Sequence, residues 1–134
     1  MEHIDVDKIA NSAGVVGAIA VASTNTIYTH SHSIKGGSNF VLLYKATVSS
    51  GTPDVDLYLE QGPGDPTTEG SAGDSADGWV QVGTKLADVG DQNWHSVVLS
   101  PQSFPYLRIR AEGQGSNPAS CTLDLRLSKQ ESIT

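Results

Sequence analysis

The sequence predicts an all-β protein: an antiparallel β-sandwich of about seven or eight strands, jelly-roll or immunoglobulin-like, with an extended N-terminal arm. Three observations carry this expectation. Apolar and polar residues alternate with a period of two in run after run, Gly- and Pro-containing turns separate the runs, and no segment sustains a 3.6-residue period. The 14 Gly and 6 Pro, with an aromatic share of only 6%, fit short strands better than long helices. A chain of 134 residues is long enough to bury one core without disulfide or metal staples. The expected division is an arm at 1–16 and a single sandwich domain at 17–134.

In chain order, the arm is mostly polar, and Ile4 or Ile9 offers at most a turn of helix. "GAIAVAS" (17–23) and "TIYTHSHSI" (26–34) are candidate strands. "FVLLYKATV" (40–48) places Phe40, Leu42, Tyr44, Ala46 and Val48 on one face, opposite Lys45 and Thr47. "DVDLYLEQG" (54–62) alternates Val55, Leu57 and Leu59 with Asp54, Asp56, Tyr58 and Glu60. "WVQVG" (79–83) and "WHSVVLS" (94–100) are shorter runs, and "TKLADVGD" between them could hold a turn of helix. "YLRIRAEG" (106–113) and "CTLDLRLSK" (121–129) complete the set, the last with Cys121, Leu123, Leu125 and Leu127 inward.

Charge narrows the partners. Acidic residues outnumber basic ones by 15 to 8, a net charge of −7. Nucleic-acid binding draws most of its affinity from Lys and Arg displacing counterions, so no nucleic-acid partner is expected. Anionic membranes are disfavoured for the same reason. The apolar run from Ala13 to Ala22 falls well short of the roughly 20 residues that span a bilayer, so no membrane partner is expected either. Acidic residues stand where a secretory leader would be positive, which points to synthesis in the cytoplasm. Cys121 is the sole cysteine, so no internal disulfide forms, and its place in an inward row reads as a buried thiol.

Candidate chemistry is sparse. His30 and His32 have the i, i+2 spacing that puts two imidazoles on one strand face, as metal sites on sheets require. A further ligand could come only from His95 or a carboxylate on a distant strand, and a polar strand face between Thr29, Ser31 and Ser33 explains the pair better. The loop at 62–78 carries Asp65, Glu69, Asp74 and Asp77, but not the spacing of a calcium loop. Asp54, Asp56 and Glu60 could space a glycosidase pair, yet nothing around them would desolvate one carboxyl. No serine sits in a nucleophile motif and no glycine run opens a helix. The expectation is a protein that is not an enzyme and holds no cofactor or metal. Trp79, Trp94, Tyr58 and Tyr106 read either as a sugar-stacking platform or as plugs at the ends of the core.

Arg108 and Arg110 alternate with inward Leu107, Ile109 and Ala111, which assigns them to a solvated or contact face. Their simplest partners are the protein's own acids, Asp54, Asp56 and Glu60, with Asp124 beside Arg126 as a parallel case. A second role is at an intersubunit contact, where arginine is enriched.

The run from "VDLYLEQGPGD" through "DGWVQVG" (77–83), "VVLSP" (97–101) and "PYLRIRAEG" (105–113) to "CTLDLRLSK" resembles the small β-sandwich virion proteins of tailed bacteriophages. The resemblance covers residues 54–128 and is a pattern of strands and turns, without a catalytic signature. It implies a head decoration, or cement, protein on the outer surface of the virion, bound to the major capsid protein or to other virion proteins. It also implies a homo-oligomer, with a trimer favoured, whose first 20 residues lie on the shell or on a neighbouring subunit. The residues expected at such contacts are Ile4, Val6, Ile9, Val15, Val16, Tyr58, Tyr106, Arg108 and Arg110. The alternative is a carbohydrate- or receptor-binding module of a fibre or tail.

Overall fold

A computed structural model describes residues 2–11, 16–62, 78–102 and 104–132. Its strands are β1 (Glu2–Lys8), β2 (Ile19–Ala20), β3 (Thr26–Tyr28), β4 (His32–Ser33), β5 (Gly37–Thr47), β6 (Val55–Gly62), β7 (Val80–Gln81), β8 (Ala87–Val89), β9 (His95–Val98), β10 (Tyr106–Gly113) and β11 (Thr122–Ser132). They form two antiparallel sheets packed face to face, the predicted all-β sandwich. Among the described residues there is no helix. The first sheet runs β1-β11-β5-β9, with β2 also on β11. The second runs β3-β10-β6-β7, with β4 also on β10 and β8 also on β6.

Period-two patterning sets which face of each strand is buried. Leu42, Tyr44 and Ala46 of β5 and Leu123, Leu125 and Leu127 of β11 meet Val55, Leu57 and Leu59 of β6 and Leu107, Ile109 and Ala111 of β10 in one core. Each fully buried Leu or Ile contributes about 1.5–3 kcal/mol relative to exposure. Cys121 is buried in this core, and burial raises its thiol pKa. Register follows from the same rows. β10 pairs with β6 from Tyr106–Gly62 to Gly113–Val55, and β11 pairs with β5 from Thr122–Thr47 onward. A bulge near Ser128 lets Gln130 oppose Ser38, and Asn39 takes a left-handed φ of 52° there.

Three local expectations change. Residues 2–8, expected as an extended arm, are extended but form strand β1, paired along β11 from Glu2–Ser132 to Lys8–Arg126. The outer half of β11 would otherwise present an unpaired edge, a costly state for a strand whose other edge is already used. Ala87–Val89, read as a possible helical turn, pairs with Leu57–Val55 as β8. The run at 26–34 breaks into β3 and β4 because Thr29 uses its side chain in the ladder. Its Oγ1 accepts the Ile109 N–H at 2.9 Å and donates to the His30 carbonyl at 3.0 Å.

The loops joining β5 to β6 and β10 to β11 both cross between the sheets, and Asn117 ties this corner together. Its Nδ2 donates to the carbonyls of Val21 at 2.7 Å and Ser23 at 3.0 Å, while Oδ1 accepts the Asp54 N–H at 3.0 Å. Gly113 lies beneath it, where a Cβ would stand 1.8 Å from the Ser23 carbonyl oxygen. Only glycine fits that approach. Gly113→Ala is expected to cost about 3 kcal/mol or more by forcing the two segments apart. Asn117→Ala should cost about 2–3 kcal/mol by leaving buried backbone groups unpaired. Urea unfolding checks both: the midpoints should fall in that order with the m-value unchanged.

Candidate binding faces

The two outward faces of the sandwich differ in chemistry. On the second sheet, the outward residues of β10 and β6 are Arg108, Arg110, Glu112, Tyr58 and Glu60, and register places Arg108 directly opposite Glu60. Arg108 is fully buried. Its guanidinium lies between the rings of Tyr28 and Trp79, at 4.3 and 4.4 Å from their centroids. Its Nε donates to Glu60 Oε1 at 2.8 Å, and Nη2 lies 2.8 Å from the same oxygen. Arg110 donates to the other Glu60 oxygen at 2.6 Å and to Gln81 Oε1 at 2.7 Å, and stacks 4.3 Å over Tyr58. Trp79 reaches this position by lying flat on Gly62, where a Cβ would come within 3.0 Å of the indole.

Glu112, 3.1 Å from Arg110 Nε, brings a second carboxylate, so the two guanidiniums face two acids, and the aromatic rings cover their cationic faces. Of the three acids expected to answer the arginines, Glu60 does so. Asp54 instead accepts from Ser116 Oγ at 2.6 Å, and Asp56 faces Lys85.

The outward face of the first sheet mixes exposed apolar side chains with polar and charged ones. Cross-strand register aligns Val6, Ser128, Val41 and Val98 in one row over β1, β11, β5 and β9. The next row is Lys8, Arg126, Leu43 and Ser96. Ile4 and Val98 are each 70% exposed, Val6 53% and Trp94 44%. Trp94 is held in place by cations: Arg126 lies 4.9 Å and Lys45 6.0 Å from its ring centroid. Asp124 positions Arg126 through contacts at 3.1 and 3.3 Å. Val6, Leu43, Trp94 and Arg126 line a shallow pocket of about 180 Å³.

A second recess of about 320 Å³ opens between the sheets beside β9, β7 and β8, with Leu59, Val82, Lys85, Leu86, Val97 and Ser100 among its lining. The Lys85 ammonium lies 2.6 Å from Asp88 and 3.5 Å from Asp56.

The residues expected at assembly contacts separate accordingly. Ile4, Val6 and Val16 are exposed, and Tyr58 and Tyr106 are half-buried. Ile9 and Arg108 are corrections: both are fully buried within the chain. Ile9 packs in the core while its N–H bonds the Leu125 carbonyl, and Arg108 is enclosed by two rings and Glu60 rather than facing a contact. Arg110 is mostly covered, at 16% side-chain exposure. Val15 lies outside the described residues, as do Asp65, Glu69, Asp74 and Asp77 of the loop. Val41, Leu43 and Val98 were missed. The signal was present in "FVLLYKATV", where Val41 and Leu43 make the outward positions apolar as well.

The four aromatics considered as a sugar platform do not share a face. Trp79 is buried over Arg108 with Tyr58 nearby, whereas Trp94 stands on the opposite sheet. His30 and His32 are separated by the break between β3 and β4. Among the described residues no group of three or more His, Cys, Asp or Glu side chains is placed to hold a metal ion.

The chain matches no known family model and no curated protein sequence.

Two predictions come from these faces. Glu60→Gln leaves two guanidiniums without their shared anion and should cost about 3–5 kcal/mol, whereas Arg110→Ala, at the cluster's rim, should cost about 1 kcal/mol. Thermal unfolding of the two variants tests that ranking. The second concerns His32, whose Nε2 is buried without a hydrogen-bond partner among the described residues. Burial lowers its pKa below the ordinary value of about 6.5, with Lys129 and His30 acting in the same direction and Asp7 opposing. The unfolded chain therefore protonates first. Stability should hold above pH 6.5 or so and fall as pH drops below it, and His32→Asn should flatten that part of the profile.

Proposed function

We propose that this protein is a structural binding module: a virion protein of a tailed phage that decorates the outer surface of the head and stabilises the shell. The observation that carries this reading is the set of exposed apolar side chains on the first sheet, Ile4, Val6 and Val98 with Trp94 nearby, joined across the sheet by half-buried Val41. A surface of that chemistry gains free energy by leaving water on contact with a partner, at roughly 25 cal/mol per Å² of apolar area. The polar side chains that might have served chemistry, Arg108, Arg110 and Glu60, are instead committed to one another. Binding to the assembled lattice and not to loose capsid subunits would stabilise the shell by mass action. A net charge of −7 suits an outer surface better than one that lines packaged DNA.

The alternative, a carbohydrate- or receptor-binding module, draws support from one feature: half-exposed Trp94 at the rim of an apolar pocket with Arg126. That site offers one stacking ring rather than the usual pair.

Mixing the protein with heads from the phage that carries its gene, then sedimenting, separates the readings. Retention by wild type is expected, with a loss of at least about tenfold in affinity for Val98→Asp and Val6→Asp, since each charge would be buried unpaired. Both substitutions are at exposed positions, so folding stability should change by less than about 0.5 kcal/mol. Wild-type protein that stays in the supernatant at saturating concentration overturns the decoration role. A glycan-array signal lost on Trp94→Ala would favour the alternative.

A further inference from the structure

Among the described residues the first sheet ends at β1 on one side and β9 on the other, with no further strand paired to either. We infer that copies of this chain associate head to tail, β9 of one pairing with β1 of the next, so that the first sheet continues across subunits. The inference deepens the assembly reading above and depends on it only for the biological setting.

Four features of the two edges agree. The first is direction. Each neighbour in β1-β11-β5-β9 is antiparallel, so β1 and β9 run in opposite senses. A subunit repeated about an axis along the strands therefore brings an antiparallel partner to β9. The second is the backbone. The Ile9 N–H bonds the Leu125 carbonyl and the Leu99 N–H bonds the Phe40 carbonyl. Strand alternation then points the peptide groups of Ile4 and Val6, and those of Ser96 and Val98, away from the sheet. The third is the side chains. Ile4, Val6 and Val98 all stand on the outward face and are the most exposed apolar residues of their strands. Setting Val98 against Val6 or against Ile4 makes a hydrogen-bonded pair with matching pleat and covers both side chains.

The fourth feature is charge. Those two registers place Asp7 or Asp5, respectively, opposite Val97, at the recess lined by Lys85, Thr84 and Ser100. The Thr84 and Ser100 hydroxyls are the donors that meet an incoming carboxylate there, beside a Lys85 ammonium already shared between Asp88 and Asp56. Symmetric pairing of β1 with its own copy lacks this match. Its central registers oppose Asp5 to Asp5, Asp5 to Asp7 or Asp7 to Asp7, and like charges directly opposite destabilise a sheet.

A head-to-tail contact engages both edges of every copy except at an open end. It closes as a ring of three or more copies, or runs on as a filament. With −7 on each copy, repulsion opposes assembly, so added salt should strengthen it.

Light scattering on the purified full chain provides the test. A closed species of three or more copies is expected at high concentration, growing in population up to about 1 M salt, where charges are screened within about 3 Å. Val98→Pro, which removes an edge-facing N–H and leaves the β5 ladder intact, should yield monomer at every salt concentration. Val6→Cys and Val98→Cys introduced together should cross-link between copies on oxidation. Cys121, buried in the core, gives a negligible background. A wild-type monomer at high concentration and high salt overturns the ring and leaves the sedimentation result with phage heads unaffected. A dimer overturns the ring of three or more copies, and cross-linking of either single-cysteine variant as efficient as that of the pair overturns the head-to-tail arrangement in favour of a symmetric one.

Discussion

The arrangement depends on one constraint: each sheet must bury an unbroken apolar row against the other. Leucines 123, 125 and 127 of β11 and Leu107, Ile109 and Ala111 of β10 meet that requirement from opposite layers. Because alternation sends every second residue outward, the same strands necessarily create two outer faces. A one-residue slip would exchange core and surface, so inward burial also fixes what each outer face presents. The chemistry of each outer face is therefore set by the residues left over from packing.

The two sheets use those residues in opposite ways. On the second, Glu60 bridges both arginines of β10, Glu112 supplies Arg110 with a second carboxylate, and Tyr28, Trp79 and Tyr58 cover the guanidinium planes. Trp79 can lie there only because Gly62 has no side chain. That cluster stiffens a face and leaves little of it reactive. On the first sheet, valines and a cation-clamped tryptophan remain in water, and both edges end in strands with exposed apolar side chains. Binding energy is thus available on one face and its edges, while the other contributes rigidity.

Much of this was legible in the sequence. Period-two runs located β5, β6, β10 and β11 and their inward residues, because a half-buried strand imposes that pattern directly. The acidic answer to the arginines was legible as well, though not which acid: Asp54, Asp56 and Glu60 share a face, and only cross-strand register selects Glu60. Three features were hidden by their nature. β1 reads as a polar arm because an edge strand with Asp5 and Asp7 on one face and Ile4 and Val6 in water lacks a core-facing row. The burial of Arg108 depends on Trp79 folding back over Gly62, a long-range contact that no local pattern records. The apolar outer row depends on Val6, Val41 and Val98, which lie far apart in the chain and become neighbours only through the strand order.

Hydrogen exchange of the protein mixed with phage heads, compared with the protein alone, tests the proposed first-sheet binding surface most directly. Protection should rise along β1, around Trp94 and at Val98, and remain unchanged over Arg108, Arg110 and Glu60. New protection confined to that arginine cluster, with the valine row exchanging as in the free chain, would contradict it.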